Sequence, residues 1–329
     1  MNINILWIIL GLLLIVIFIL SVFIISPFPA IALAKSYIFK VPSDNRPSEY
    51  IDGTVLVKVG LKFNSKYKNN HFDLYTPKHQ NKNIPTIVWV HGGGFIGGDK
   101  LEEKEYATKL ATLGYTVVVM NYELVPQTIY PRPVIQVSEF IRFLSNNSEN
   151  YSLNMNNIFI AGDSAGAQIA SQFIATQTND CYRTSLGISK VLEPDQIRGA
   201  LLYCGPYSIL NVFKNSKSLL FKFIFGRIAW CYLNKKNWRN SDLIESTIVG
   251  NFITTDFPPS YITDGNNASF ESQGKELIKV LEVNNVPFKK RFFDSSEMKV
   301  SREYQFDLIS DSGKIAFEDT IAFLKQYQL

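Results

Sequence analysis

A serine between two glycines is the strongest chemical signal in this chain. The motif Gly162-Asp163-Ser164-Ala165-Gly166 follows a short apolar run and precedes a stretch of small and apolar residues. This order predicts a strand, a sharp turn and a helix, with the hydroxyl of Ser164 projecting above the sheet edge as a nucleophile. The alternative is a tight glycine-rich turn in which the serine has no chemical role.

A second glycine cluster lies upstream of that serine. His91-Gly92-Gly93-Gly94 follows the apolar, β-branched residues 86–90. Successive glycines let a backbone approach a ligand closely. The N–H groups of Gly93 and Gly94 are therefore predicted to act with that of Ala165 as donors to an oxyanion. The two motifs together predict acyl-transfer chemistry at a serine.

The general base that such a serine needs is not evident. The chain has only three histidines, His71, His79 and His91, and none of them follows Ser164. His91 is interpreted as a hydrogen-bonded scaffold residue, because it lies in the glycine loop on the oxyanion side of the serine. A serine hydroxyl is a weak nucleophile unless an adjacent base activates it. The sequence thus predicts the framework of a serine site more firmly than its turnover.

The two motifs, in this order, resemble those of the hormone-sensitive-lipase-like carboxylesterases of the α/β-hydrolase fold. Tyr122-Glu123-Leu124-Val125-Pro126 is similar to the segment after the fourth strand of that family, with Glu123 in place of the usual arginine. The similarity covers roughly residues 54–329. It implies hydrolysis of short or medium acyl esters by a serine, an acid and a histidine, without a cofactor.

The acid is the first departure from that family. In the family it follows the strand that matches residues 260–263, and its usual position falls near Asn267 or Ala268. Asp264 comes a few residues early and Glu271 a few residues late. Asp264 is the better candidate for the acid. Its alternative role is that of a turn aspartate in an Asp-Gly step.

The base is the second departure. The loop Ser301-Arg302-Glu303-Tyr304-Gln305-Phe306 matches the family's histidine loop, and Arg302 occupies the base position. Arginine stays protonated and cannot accept the proton of a serine. Loss of a triad member costs about 10⁴–10⁶ in rate in serine proteases. The alternatives for Arg302 are a solvated loop residue and an ion pair with Asp264.

Two functions are consistent with these departures. The first is a carboxylesterase- or lipase-like serine hydrolase with an incomplete triad and impaired activity. The second is a catalytically silent protein of the same fold that binds an acyl or peptide ligand, or a partner protein. The intact glycine motifs and Ser164 favour the first, whereas Arg302 favours the second.

Apolar runs and helical spacings alternate along the rest of the chain. Strands are predicted at residues 54–59, 71–75, 86–90, 115–120, 157–161, 201–203, 260–263 and 288–293. Helices are predicted at residues 100–113, 133–144, 165–175, 270–281 and 314–327. This alternation is typical of an α/β protein with a mostly parallel sheet and helices on both faces, here an α/β-hydrolase.

Residues 205–257 interrupt the alternation and are interpreted as a helical cap insertion over the Ser164 pocket. From Gly205 to Ser241 there are seven Lys or Arg residues and no Asp or Glu, interleaved with aromatic residues. We expect the aromatic residues to face the pocket. The basic residues favour either an anionic membrane surface or, as the simpler alternative, a solvated face.

An uncharged apolar segment lies near the N-terminus. No charged residue occurs from Ile5 to Ile25. That length matches the ~20 residues of a membrane-spanning helix and predicts a single-pass anchor. A cleaved signal peptide ending at Ala32-Leu33-Ala34 is the alternative. It is disfavoured because no lysine or arginine precedes the segment, which exceeds the usual apolar length of about 7–15 residues.

The predicted anchor divides the chain into two parts. Residues 1–34 form the transmembrane anchor and residues 35–329 the α/β-hydrolase domain. Residues 35–52 are interpreted as a connector in which Pro42 and Pro47 break any helix. Basic residues follow the apolar segment, and the positive-inside rule therefore favours a cytoplasmic domain. They are Lys35, Lys40 and Arg46.

Composition argues against several other classes of protein. A net charge of +4 over 329 residues is too small and diffuse to indicate nucleic-acid binding. Cys181, Cys204 and Cys231 are widely spaced, without the CxxC pair of a zinc site or an even disulfide framework. We expect no cofactor and no metal. The expected partners are the membrane, through residues 5–25, and a small acyl ester or similar ligand.

Overall fold

The computed structural model of the protein describes residues 3–41, 43–78 and 84–329, so that Pro42 and His79 lie outside the described residues. Within these ranges the chain forms a nine-stranded sheet. Its strands are β1 (Glu49–Asp52), β2 (Val55–Lys62), β3 (His71–Pro77), β4 (Thr86–Val90), β5 (Thr116–Met120), β6 (Ile158–Asp163), β7 (Ile197–Tyr203), β8 (Ser260–Thr263) and β9 (Phe288–Arg291).

The sheet is antiparallel at one edge and parallel elsewhere. Its strand order is β1-β2-β3-β5-β4-β6-β7-β8-β9. The pairs β1–β2, β2–β3 and β3–β5 are antiparallel, and every later pair is parallel. Parallel strands end at the same edge of a sheet, so the carboxyl ends of β4, β6, β7 and β8 lie together, where ligands bind in open α/β sheets.

Eleven α-helices, among the residues described, accompany the strands. They are α1 (Ile3–Ile25), α2 (Phe28–Tyr37), α3 (Lys104–Thr112), α4 (Arg132–Asn146), α5 (Ser148–Tyr151), α6 (Ala165–Thr178), α7 (Asp180–Ser185), α8 (Ile209–Asn215), α9 (Leu219–Tyr232), α10 (Glu271–Val283) and α11 (Asp311–Tyr327). The predicted fold, a mostly parallel sheet with helices, is confirmed.

Two apolar cores lie on the two faces of the sheet. In β4, Val88 and Val90 belong to one core, whereas Ile87 and Trp89 belong to the other. This division follows from strand geometry, because successive side chains point to opposite faces. Helices α4, α6 and α10 cover the first core, and α3 and α11 cover the second. The central strands are buried on both faces and therefore carry continuous apolar runs.

Residues 205–257 lie between β7 and β8, as the sequence predicts for an insertion. They form α8, α9 and short helical turns. The side chain of Ser218 caps α9 by accepting a hydrogen bond from the N–H of Phe221. Helix α9 packs against α8 and, across the chain, against α2.

The connector, residues 35–52, contains the end of a helix and a short strand. Lys35 belongs to α2, which begins after Pro27, and proline is tolerated in the first helical turn. Farther on, β1 pairs with β2 at the sheet edge. Arg46, which lies between α2 and β1, forms ion pairs with Asp44 and with the fully buried Asp73. Lys100 Nζ lies 3.4 Å from Asp73 Oδ1 on the other side. Long-range contacts therefore hold this segment on the domain.

Candidate active site

Ser164 occupies a strained turn between β6 and α6. Its backbone has φ 48° and ψ −120°, a conformation that a non-glycine residue rarely adopts. The N–H of Ser164 donates to Tyr203 O at 2.8 Å on the neighbouring strand. The serine precedes the first turn of α6, whose N–H groups have no partner within the helix. The predicted strand, turn and helix are thus present.

The glycines of this motif are sterically required. A Cβ at Gly166 would lie 1.9 Å from Val90 O, and one at Gly162 would lie 2.6 Å from Gly166 O. A Cβ at Gly92 would in turn lie 2.2 Å from Asp163 Oδ2. The two glycine motifs are therefore in direct contact.

The loop after β4 turns sharply at two glycines with positive φ. Gly93 and Gly94 have φ of 102° and 60°. A Cβ at Gly93 would lie 2.1 Å from Gly97 O. Among the residues that the structure describes, no carbonyl oxygen or side chain accepts a hydrogen bond from the N–H of Gly93 or Gly94. Both groups are free to serve an external acceptor, and Gly94 lines the same cavity as Ser164 and Ala165.

His91 is fully buried beneath this loop. Its Nδ1 lies 2.7 Å from Gly92 O, and its ring stacks on Tyr122 at 4.5 Å between centroids. Burial lowers the pKa of His91 to about 4, so the ring is neutral and Nδ1–H donates to the carbonyl. His91 is absent from the described lining of the Ser164 cavity. Its contacts are those of a scaffold residue.

Ser164 lines a cavity of about 400 Å³, within the range of small-molecule sites. Most of its described wall is apolar and comes from three separate parts of the chain. These are the connector, the cap and the loops at the strand ends. The apolar residues are Ile38, Phe39, Phe95, Ala165, Pro206, Phe221, Ile224, Phe225, Ile228, Ala268 and Phe270. Only some of the cap aromatics face the cavity, since Phe213 and Trp238 instead pack on each other at 5.2 Å.

Asp264 lies at the end of β8, buried to 2% exposure. Its Oδ2 accepts a hydrogen bond from the N–H of Phe270 at 2.7 Å. Burial raises the pKa of Asp264 to about 7. Its Oδ1 is buried without a hydrogen-bond partner among the described residues. Asp264 does not line the Ser164 cavity as described. The bond to Phe270 is one that a turn aspartate makes, and the role of Asp264 as the acid stays a prediction.

The positions expected to carry the acid and the base lie side by side in the cavity wall. Asn267 pairs with Ser301 as a parallel bridge, and the N–H of Arg302 donates to Asn267 O at 3.2 Å. Ala268 and Arg302 both line the cavity with Ser164. The later acid candidate, Glu271, instead forms an ion pair with Lys275 on α10 at 2.8 Å.

Arg302 contacts other groups than the one predicted. Its guanidinium lies over the ring of Phe270 at 5.3 Å, and its Nε is 3.5 Å from Glu303 Oε1. Neither an ion pair nor a hydrogen bond joins Arg302 to Asp264 in the described part of the chain. The suggested Arg302–Asp264 pair is therefore wrong, because Asp264 is turned inward toward the loop backbone.

Sequence reasoning missed two acidic features. Glu303 is the only carboxylate in the described cavity lining, and its position beside Arg302 was the available signal. Behind Ser164, Asp163 accepts a hydrogen bond from Trp89 Nε1 at 3.0 Å and lies against the carboxyl of Glu103. Burial and the nearby Glu303 raise the pKa of Asp163 to about 7, and burial and Asp163 raise that of Glu103 well above its ordinary range.

Comparison with known proteins places the chain in a family. Residues 72–277 match the BD-FAE family model. The chain belongs to the BD-FAE family. An acetyl esterase of Salmonella paratyphi B is 27% identical over 227 residues, which cover 65% of this chain and 64% of that enzyme. This chain thus matches just under two thirds of the length of that acetyl esterase.

Solved structures share the fold. Esterase B from Lactobacillus rhamnosis superimposes with a TM-score of 0.73 at 21% identity, covering 85% of this chain and 89% of that one. A bacterial heroin esterase gives a TM-score of 0.67 at 16% identity, with 84% and 86% covered. The predicted α/β-hydrolase fold and the resemblance to carboxylesterase- and lipase-like hydrolases are confirmed.

Proposed function

We propose that this protein is a membrane-anchored, carboxylesterase-like serine hydrolase with an incomplete triad and impaired turnover. One observation carries the proposal. Ser164, in a strained elbow, shares a cavity with Gly94 and Ala165, while Arg302 stands where the base is expected. The family relationship supports the hydrolase class, and the placement of Arg302 supports the impairment.

The proposed chemistry is attack of the Ser164 hydroxyl on an ester carbonyl. The tetrahedral oxyanion would accept hydrogen bonds from the N–H groups of Gly93, Gly94 and Ala165, in a site where such donors cost no reorganisation. The alcohol then leaves and the acyl group remains on the serine oxygen until water removes it. Without an imidazole, the hydroxyl proton passes to water, which is a far weaker base, and both steps slow.

The volume and the apolar lining of the cavity indicate the size of the ester. An apolar volume of about 400 Å³ fits a small acyl ester better than a charged or polymeric substrate. Relatives named acetyl esterases support a short acyl group on the serine side.

The anchor rests on α1. Residues Trp7–Ile25 have a mean hydropathy of 3.5, and none of that window is buried inside the protein. A helix of this length and composition fits a single membrane span, although a signal sequence passes the same test.

The test uses the full-length chain in detergent micelles. Labelling of Ser164 by a fluorophosphonate probe and hydrolysis of p-nitrophenyl butyrate are measured for wild type and Ser164→Ala. We expect slow labelling and weak hydrolysis, both lost in Ser164→Ala. Labelling that survives in Ser164→Ala would refute the assignment of the nucleophile. Hydrolysis at the rates of an intact esterase would refute the impairment.

A second candidate is a catalytically silent binding protein. The observation in its favour is the pair of charged groups, Arg302 and Glu303, in an otherwise apolar wall where a triad would stand. Absence of fluorophosphonate labelling, with a cooperative thermal transition that shows an intact fold, would decide for this candidate.

A further inference from the structure

The start of the cap helix α9 exposes an apolar surface. Leu219, Leu220 and Phe223 are 83%, 69% and 39% exposed. Residues three and four apart lie on one face of a helix, so the three side chains are neighbours. We call these three residues the cap tip. Large exposed apolar groups in a cluster indicate an interaction surface rather than an ordinary solvent-facing helix.

Another face of the same helix forms the cavity wall. Phe221, Ile224, Phe225 and Ile228 line the cavity with Ser164. Helix α9 therefore separates the cavity from whatever contacts the cap tip. A ligand at the cap tip is therefore separated from Ser164 by a single helix.

The chain leaving α1 lies beside the same helix. Helix α2 buries Ala30, Ile31 and Ala34 and packs against α9. Ile38, just after α2, lines the cavity and is 60% exposed, so it stands at the mouth. The ion pairs of Arg46 then hold the connector on the domain. The mouth of the cavity is thus separated from the apolar N-terminal helix by one short helix, α2.

The charges around the cap tip are basic. Lys214 and Lys217 are exposed just before α9, and Lys222 lies over the ring of Phe213 at 5.6 Å. The seven basic residues between Gly205 and Ser241 face no acidic residue within that segment. Apolar side chains beside lysines suit the interface of an anionic bilayer, where each lysine adds to the attraction.

We propose that the cap tip inserts into the interface of an anionic bilayer and that the cavity takes its ester from that bilayer. The substrate class is then a membrane-dissolved ester with a short acyl group, which reaches Ser164 between Ile38 and α9. This inference deepens the proposed function and rests on it for the reaction. The docking itself is independent of turnover. A bilayer is preferred to a protein partner because α9 packs against α2, which follows the predicted anchor.

The docking test reads position and needs no catalysis. The full-length chain, with the exposed Cys181 changed to serine, carries Leu220→Cys labelled with a polarity-sensitive dye. Val283→Cys at the end of α10 is the matched control, because Val283 is also exposed, at 82%. Both proteins are reconstituted into phosphatidylcholine vesicles containing spin-labelled lipid, with and without phosphatidylserine. We expect quenching of the dye at position 220, stronger with phosphatidylserine, and none at position 283.

The delivery test compares two probes on the same vesicles. One is a short water-soluble fluorophosphonate, and the other has the same short group on phosphorus with a long alkoxy chain that dissolves it in the bilayer. Combined substitution Leu219→Ser, Leu220→Ser and Phe223→Ser should leave the first rate unchanged and lower the second about tenfold, as expected from losing several buried methylenes. The matched control is Val283→Ser with Ile309→Ser, which removes two exposed apolar side chains elsewhere.

The outcomes separate the two proposals. Equal quenching at positions 220 and 283 overturns the docking, whatever the enzyme does, and would point to a protein partner at the cap tip. Quenching at position 220 without labelling by either probe upholds the docking and refutes the serine-hydrolase function. Equal loss of both labelling rates in the cap-tip variant overturns delivery from the bilayer.

Discussion

The ring of Phe39 lies directly against Gly94. A Cβ at Gly94 would lie 2.9 Å from Phe39 Cζ, and one at Gly97 would lie 2.4 Å from Phe39 Cβ. The connector that follows the N-terminal helices thus supports the loop whose N–H groups are proposed to bind the oxyanion. One aromatic contact thus links the connector to the candidate site.

Phe39→Ala should therefore impair the site more than the fold. Loss of a half-buried ring costs about 1–3 kcal/mol of stability, while a shift of the loop weakens the oxyanion donors. We expect the rate of fluorophosphonate labelling to fall at least tenfold, since one such donor is worth about 10²–10³ in rate. Tyr37→Ala, at a residue 83% exposed, is the control. Equal labelling of both variants would contradict the role of Phe39.

Gly166→Ala should prevent stable folding. Its new Cβ would meet the carbonyl oxygens of Val90 and His91, and neither backbone can retreat from the centre of the sheet. Overpacking of this kind costs at least about 1–3 kcal/mol. Gly226→Ala is the matched control. The nearest atom there is 3.6 Å away, and alanine in a helix interior should add about 0.5–1 kcal/mol of stability. Thermal unfolding distinguishes the two.

Arg302→His alone should restore less activity than a double variant. Asp264 is engaged with the N–H of Phe270, and Glu271 with Lys275, so neither is placed to orient a new imidazole. Ala268, by contrast, lines the cavity beside Arg302. Its φ of 52° is a left-handed conformation that aspartate tolerates better than alanine.

We therefore expect Ala268→Asp with Arg302→His to raise hydrolysis of p-nitrophenyl butyrate by about 10²–10⁴-fold, the usual contribution of general acid–base catalysis. The increase should vanish when Ser164→Ala is added. A single Arg302→His variant as active as the double variant would show that another acid already serves the base position.

The contribution of Asp264 to stability should decline as pH rises from about 4 to 7. Buried Asp264 has its pKa raised to about 7, whereas an unfolded aspartate titrates near 3.9. In that range the folded state binds more protons than the unfolded state, so raising the pH favours unfolding. Asp264→Asn keeps an acceptor for the N–H of Phe270 and removes the charge.

Asp264→Asn should make the free energy of unfolding less dependent on pH, by on the order of 1.4 kcal/mol per pH unit and a few kcal/mol over the whole range. The measurement is thermal unfolding in detergent from pH 4 to 8. Asp256→Asn, at an exposed position, should leave the dependence unchanged. Identical curves for wild type and Asp264→Asn would show that Asp264 is ionised in the folded protein.

Local patterns in the sequence determined most of the sheet and the elbow. The runs at residues 86–90, 115–120 and 157–161 are apolar because their strands are buried on both faces, and that property is written into consecutive residues. The turn at Ser164 was predictable for the same reason, since its glycines and the following helix are adjacent in the chain. The arginine at the expected base position was likewise visible in the sequence.

Only the tertiary structure decided how distant segments build the cavity. Phe39 reaches the glycine loop, α2 packs on α9, and Ala268 meets Arg302 across a bridge between two loops. None of these contacts leaves a periodic or motif signal, because each joins residues far apart in the chain. The environment of the Asp264 carboxylate could not be predicted from the sequence either. Its position after β8 suggested an acid for the serine, but burial and the N–H of Phe270 turn its carboxylate inward.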